Sequence, residues 1–106
     1  MTKRTMLANA FSLQMLDVTK AATLRMTPVS MEEVAAADFE SCVGHADTAA
    51  VLSTMLGKEV ACNRVSVHLE EGDVLLVAQV TGGRLPEGST TLPEGFALAF
   101  LKVELA

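Results

Sequence analysis

Hydrophobic and polar positions alternate in some stretches of the chain and run almost continuously apolar in others. Residues 4–10 predict a first strand, and residues 20–28 predict a second because apolar side chains alternate with polar ones. Residues 64–69 (RVSVHL) alternate in the same way and predict a third strand. Residues 74–80 (VLLVAQV) are nearly all apolar, which is typical of a strand in the centre of a sheet. Residues 98–105 predict the last strand.

Two other stretches have the spacing and the end signals of helices. Ser30 is followed by Met-Glu-Glu, a capping-box pattern that predicts a helix running to about Phe39. Residues 47–56 place apolar side chains on one face of a helix. Gly57 follows directly and is expected to end that helix, because glycine readily adopts the left-handed conformation found at helix ends.

The connections between these elements differ in length. Residues 11–16 predict a short helical turn that Ser12 caps. Residues 81–97 contain four glycines and two prolines and predict a long loop, a feature often associated with function in compact domains. The pattern therefore predicts an α/β fold: a single small domain over residues 1–106, with a mixed sheet of about five strands and two to three helices.

Composition and charge exclude several classes of protein. Half of the 106 residues are hydrophobic, with four Phe and no Trp or Tyr, so we expect one mainly aliphatic core. The net charge of −5 argues against general DNA binding, which gains its affinity from a basic surface. No apolar run approaches the roughly 20 residues of a membrane span, and we expect a cytoplasmic protein with no membrane partner. The two cysteines do not have the spacing of a metal-binding pair, and the sequence contains no metal motif. We therefore expect neither a metal site nor a cofactor.

His45 lies at a junction that favours chemistry. It follows Gly44, which permits a sharp turn, and it precedes the predicted helix over residues 47–56. The free N–H groups at a helix start form a natural binding site for anions such as phosphate. An imidazole beside a bound phosphate can act as a general acid or base. The spacing leaves open that His45 is only an N-cap or a surface residue.

Two arginines suit the binding of a phosphate ester, and one glutamine is unusual in its position. Arg64 and Arg84 have the planar guanidinium that donates two parallel hydrogen bonds, although either can equally be a surface charge. Gln79 interrupts the apolar strand, and a buried amide needs hydrogen-bond partners. It is expected either to satisfy a backbone group or to face a pocket.

Four polar residues lie near predicted element ends or in loops. Asn9 and Ser12 flank the end of the first strand, where they can cap the following turn or donate to a ligand. Glu87, in the glycine-rich loop, can act as a second acid or base, orient an arginine, or simply be solvated. His68 alternates with apolar neighbours and is expected to be a solvated strand residue.

Four stretches together resemble one protein family. LANAFSLQML at 7–16, VGHADTAAVLSTMLG at 43–57, NRVSVHLEEGDVLLVAQ at 63–79 and RLPEG at 84–88 occur in the order and spacing of that family. The chain resembles the type III anti-CRISPR ring nucleases of viruses and their bacterial relatives over nearly its whole length. The resemblance implies a homodimer that binds cyclic tetra-adenylate across its interface. It also implies metal-independent cleavage to di-adenylate with a 2′,3′-cyclic phosphate, which switches off type III CRISPR signalling.

The resemblance also assigns roles to individual residues. His45 corresponds to the family histidine of the GHxxT motif and is implied to be the general acid, and Glu87 is the second predicted catalytic residue. The implied ligand contacts are Asn9, Ser12, Arg64, Gln79 and Arg84. Two alternatives are a binding module that sequesters a cyclic oligonucleotide without cleaving it and a nucleic-acid-binding or protein-interaction factor.

Overall fold

The structure is a computed structural model that describes residues 4–105. The single-domain prediction for residues 1–106 includes residues 1–3 and 106, which lie outside the described residues. The elements are β1 (Thr5–Ala8), a 3₁₀ turn (Leu13–Met15), β2 (Leu24–Val29), α1 (Met31–Ala36), β3 (Glu40–Ser41), α2 (Ala46–Leu56), β4 (Val74–Thr81) and β5 (Ala97–Leu105). The α/β class and the five-stranded sheet are confirmed.

The strands form one mixed sheet in the order β2-β5-β4-β1-β3. The prediction that β4 lies at the centre is confirmed. β1 is parallel to both β3 and β4, whereas β5 is antiparallel to β4 and to β2. Because β1 and β4 are parallel, their carboxyl ends lie at the same edge of the sheet. The pairing of β4 with β5 continues to Thr81 opposite Ala97, so the intervening loop of residues 82–96 projects from this same edge.

The core is divided between the two faces of the sheet. On one face, side chains such as Leu76 and Phe100 pack against the buried residues of α1 and α2. On the other face, Leu75 and Val103 belong to a second cluster covered by Val67 and its neighbours. Successive strand residues point to opposite faces, and both faces of β4 are buried from Leu75 to Ala78.

The short helix α1 begins as the sequence predicts and ends earlier. Ser30 Oγ accepts the N–H of Glu33 at 3.1 Å, and the Glu33 carboxylate accepts the N–H of Ser30 at 3.4 Å, which completes the capping box. The helix ends before the predicted Phe39, because Ala37 has an extended backbone. The Lys58 ammonium donates to the Ala37 carbonyl at 2.7 Å and lies over the Phe39 ring, which fixes this non-helical exit.

The predicted strand over residues 64–69 is wrong. Val67 and Leu69 are buried and His68 is exposed, as alternation predicts, but Val65 is exposed and the segment pairs with no strand. Its alternation comes from lying against a face of the sheet instead of extending an edge. The fifth strand is instead β3, whose two residues are too short to produce a periodic pattern.

Asp73 anchors the turn that leads into β4. Its side chain is 2% exposed and forms a salt bridge with the Arg4 guanidinium at 2.7 Å. It also accepts the backbone N–H of Glu70 at 3.0 Å. Burial alone would raise the pKa of the Asp73 carboxyl, but the hydrogen bonds from Arg4 and Glu70 outweigh it and hold that pKa below its usual value.

Replacing Asp73 with asparagine is expected to lower the free energy of unfolding by about 2 kcal/mol at pH 7, because a buried charged acceptor is lost. A carboxyl whose pKa is lowered by folding stabilises the protein above its unfolded pKa of about 3.9 and loses this effect as the pH falls through the folded value. The difference between wild type and variant should therefore shrink below about pH 4. Urea denaturation measures it, with Asp38→Asn at an exposed site as the control. Equal losses in both variants would contradict the role of Asp73.

Candidate functional site

A cavity of about 580 Å³ opens at the sheet edge where β1 and β4 end. Asn9 follows β1, Gln79 lies near the end of β4, His45 precedes α2 and Arg84 lies in the 82–96 loop. These four residues, of the seven predicted for the site, line this one cavity. They meet because the parallel pairing of β1 and β4 brings both carboxyl ends together, which is where α/β sheets commonly bind ligands.

The position of His45 is fixed through its backbone. Asn9 Oδ1 accepts the N–H of Gly44 at 3.3 Å, which ties the end of β1 to the residue before His45. His45 is the N-cap of α2, and its carbonyl accepts the N–H of Ala49 at 3.0 Å. Its side chain makes no capping hydrogen bond and is exposed to the cavity. The N-cap alternative therefore describes the backbone of His45, while the imidazole is available to a ligand.

Gly44 has a different role from the one that the sequence predicts. Its φ angle is not positive, so a left-handed turn does not explain the glycine. A Cβ atom at this position would lie 3.2 Å from Cγ of Arg64, so the missing side chain leaves room for the Arg64 stem. Arg64 thus packs beside the residue that precedes His45, although it does not line the cavity itself.

Gln79 and Arg84 are both exposed on the cavity wall. The prediction that Gln79 is a buried amide is wrong, and of its two alternatives the structure supports the one in which it faces a pocket. β4 extends here beyond the part of the sheet that is covered on both faces, so the amide needs no internal partner. Arg84 forms no salt bridge with any residue from 4 to 105 and lines the same space.

Ser12 and Glu87 lie outside the cavity lining. Ser12 accepts the N–H of Gln14 at 3.3 Å and caps the 3₁₀ turn, which is one of the roles that the sequence left open. Glu87 is exposed in a turn closed by the N–H of Ser89, which donates to the Pro86 carbonyl at 3.1 Å. The structure therefore leaves these two side chains beside the site and not in its wall.

The lining residues that were not predicted include Thr48, Phe11 and Met26. Thr48 is 8% exposed and lies three residues after His45 on the first turn of α2. That spacing places both on the same side of the helix, and it is the signal that would have identified Thr48. Phe11 and Met26 provide apolar wall from separate segments, and no local pattern in the sequence connects them.

The arrangement suits a phosphate ester. An imidazole, a guanidinium and two carboxamides can donate hydrogen bonds to phosphate oxygens, while the apolar side chains offer a surface to a base or sugar. Within residues 4–105, no three His, Cys, Asp or Glu side chains are grouped so as to hold a metal ion. No helix in the same range has the length and apolar character needed to cross a membrane.

Comparison with known proteins gives a family and a fold. No curated protein matches the chain significantly. The solved structure of B116 of Sulfolobus turreted icosahedral virus superposes with a TM-score of 0.77 at 24% identity, covering 95% of this chain and 98% of B116. The sequence model of the STIV B116-like family matches residues 5–99, which is most of the chain. The protein described here therefore belongs to the STIV B116-like family.

Proposed function

We propose that this protein is a metal-independent ring nuclease. It binds cyclic tetra-adenylate, cleaves it to di-adenylate with 2′,3′-cyclic phosphate ends, and in this way switches off type III CRISPR signalling in the cytoplasm. The observation that supports this best is the convergence of Asn9, His45, Gln79 and Arg84 on one cavity from four separate parts of the chain. The sequence resemblance assigns a ligand or catalytic role to each of the same four residues.

The chemistry needs little beyond positioning and one proton donor. The ribose 2′-oxygen, which is part of the substrate, forms a bond to phosphorus while the bond from phosphorus to O5′ breaks. The imidazolium of His45 gives its proton to the departing O5′, which leaves as a hydroxyl. Arg84 stabilises the negative charge that grows on the phosphate oxygens. The 2′-hydroxyl gives up its proton to water or to the Glu87 carboxylate, which lies in the turn beside the cavity and can also orient an arginine.

A homodimer would make the site match the symmetry of the ligand. Two copies facing each other across a two-fold axis present two His45 residues to opposite phosphodiesters of a four-membered ring, and two cuts release two di-adenylates. A cavity of about 580 Å³ is suited to one drug-sized ligand, whereas a ring of four nucleotides is larger. Met26, 51% exposed on the cavity wall, offers apolar surface to a second copy.

The test is a turnover assay with purified protein, cyclic tetra-adenylate and EDTA. We expect chromatography and mass spectrometry to detect di-adenylate with cyclic phosphate ends, and light scattering to give twice the chain mass of 11.2 kDa. A ring that stays intact and does not stabilise the protein against heat would refute the proposal.

A non-catalytic sequestering module is the second candidate. The position of Glu87 outside the cavity lining favours it, because one of the two predicted catalytic groups is then absent from the wall. This candidate predicts ligand-induced thermal stabilisation with no product over hours. Turnover in the same assay would exclude it.

A further inference from the structure

We propose that Asp47 is a positioning residue that holds the turn bearing Glu87 against the start of α2. This inference rests on the proposed function and adds a residue to its site. The observation is a hydrogen bond between segments 41 residues apart, in which the N–H of Gly88 donates to Asp47 Oδ1 at 3.1 Å. Neither the sequence patterns nor the cavity lining identifies Asp47.

The contact acts on the peptide unit that joins Glu87 to Gly88. The turn is closed by the Pro86 carbonyl, which accepts both the N–H and the hydroxyl of Ser89, at 3.1 and 2.6 Å. Gly88 has a φ of 81°, which suits the third position of a type II turn and is strained for other residues. Holding the Gly88 N–H therefore fixes the backbone from which the Glu87 side chain projects.

The other end of the contact lies close to His45. Asp47 is the second residue of α2, and His45 is the N-cap of that helix. One hydrogen bond thus connects the backbone segments of the two predicted catalytic residues. Because the Asp47 side chain is half-buried on the first turn of a helix, it is a firmer anchor than a loop side chain.

The base of the same loop is closed independently. Gly82 has a φ of 112°, and a Cβ atom there would lie 2.6 Å from the Gly95 carbonyl oxygen, so the two ends of the loop are in backbone contact. The segment between Gly82 and Gly88, which includes Arg84, is therefore held at its base and near its tip. A loop ordered in this way before the ligand arrives loses less entropy when the ligand binds.

The effect of the hydrogen bond can be distinguished from the effect of the Asp47 charge by comparing wild type, Asp47→Asn and Asp47→Ala. Both variants remove the negative charge, but asparagine retains an oxygen acceptor, so their difference isolates the hydrogen bond. We expect the Gly88 amide of ligand-free Asp47→Ala to exchange with solvent about three to ten times faster than that of Asp47→Asn, as measured by NMR. Equal exchange in the two variants would overturn the proposal.

Cleavage kinetics test whether the contact serves the reaction. We expect kcat of Asp47→Ala to be about three to ten times lower than that of Asp47→Asn, with similar KM. In a Glu87→Gln background the same pair should have equal kcat, because Asp47 acts through Glu87. A kcat difference that persists in that background, or no difference in the wild-type background, would refute the positioning role. If wild type cleaves nothing, the proposed function and this role fail together, while the exchange data still decide whether the contact exists.

Discussion

Replacement of His45 by alanine is expected to reduce kcat for ring cleavage by about a hundredfold or more. A general acid typically contributes about 10²- to 10⁴-fold, because an unprotonated alkoxide is a poor leaving group. The imidazole makes no capping hydrogen bond and is exposed, so its removal should leave the fold intact. Affinity for cyclic tetra-adenylate should change little, since the predicted role of His45 is in the transition state.

Two controls make this result specific. His68→Ala removes the other histidine, which is exposed beside a different cavity, and should leave kcat unchanged. A substrate with sulfur in place of the bridging O5′ needs no proton on its leaving group, because a thiol has a pKa of about 8.5. We expect His45→Ala to cleave that substrate nearly as fast as wild type does. A variant that remains equally impaired on both substrates would contradict the general-acid role.

The elements that could be predicted from sequence are those determined by local interactions. The capping box at Ser30 and the helix end at Gly57 depend on residues within one turn of each other, and both are confirmed. The segment 64–69 has the alternation of a strand, but pairing requires a free sheet edge, and this segment lies against a face. The alternation correctly indicated that Val67 and Leu69 are buried, but it does not specify what the backbone pairs with.

In the site, too, sequence patterns predict the local features but not the contacts between distant segments. Gly44 and His45 are neighbours in sequence and directly precede a predicted helix, so a ligand-binding site could be predicted at this position. The support from Asn9 depends on where β1 ends relative to α2, and the hydrogen bond from Gly88 to Asp47 depends on where the 82–96 loop folds back. Residue type suggested Asn9 as a candidate, whereas an aspartate in the first turn of a helix is too common to be informative.

Replacement of Arg84 by alanine is expected to reduce kcat/KM by about 10- to 100-fold. A hydrogen bond to a charged group contributes about 1.5–3 kcal/mol, and each 1.4 kcal/mol corresponds to a factor of ten. Arg84 is exposed on the cavity wall and forms no salt bridge with residues 4–105, so its guanidinium is available for phosphate. The loss should appear in binding as well as in kcat, because the ground-state phosphodiester already carries a negative charge.

Two further variants distinguish recognition by Arg84 from a general effect of charge. Arg25→Ala removes an exposed arginine next to Met26 on β2, and Arg25, unlike Met26, does not line the cavity. It changes the net charge equally and should leave kcat/KM within about twofold of wild type, since an exposed charge outside the cavity lining acts on the ligand only through interactions that salt screens. Arg84→Lys keeps the charge but loses the planar pair of donors. If the guanidinium donates hydrogen bonds to two phosphate oxygens, kcat/KM of this variant should lie between those of wild type and Arg84→Ala. A lysine variant as active as wild type would mean that Arg84 supplies charge alone, and equal losses in Arg84→Ala and Arg25→Ala would mean that it has no specific place in the site.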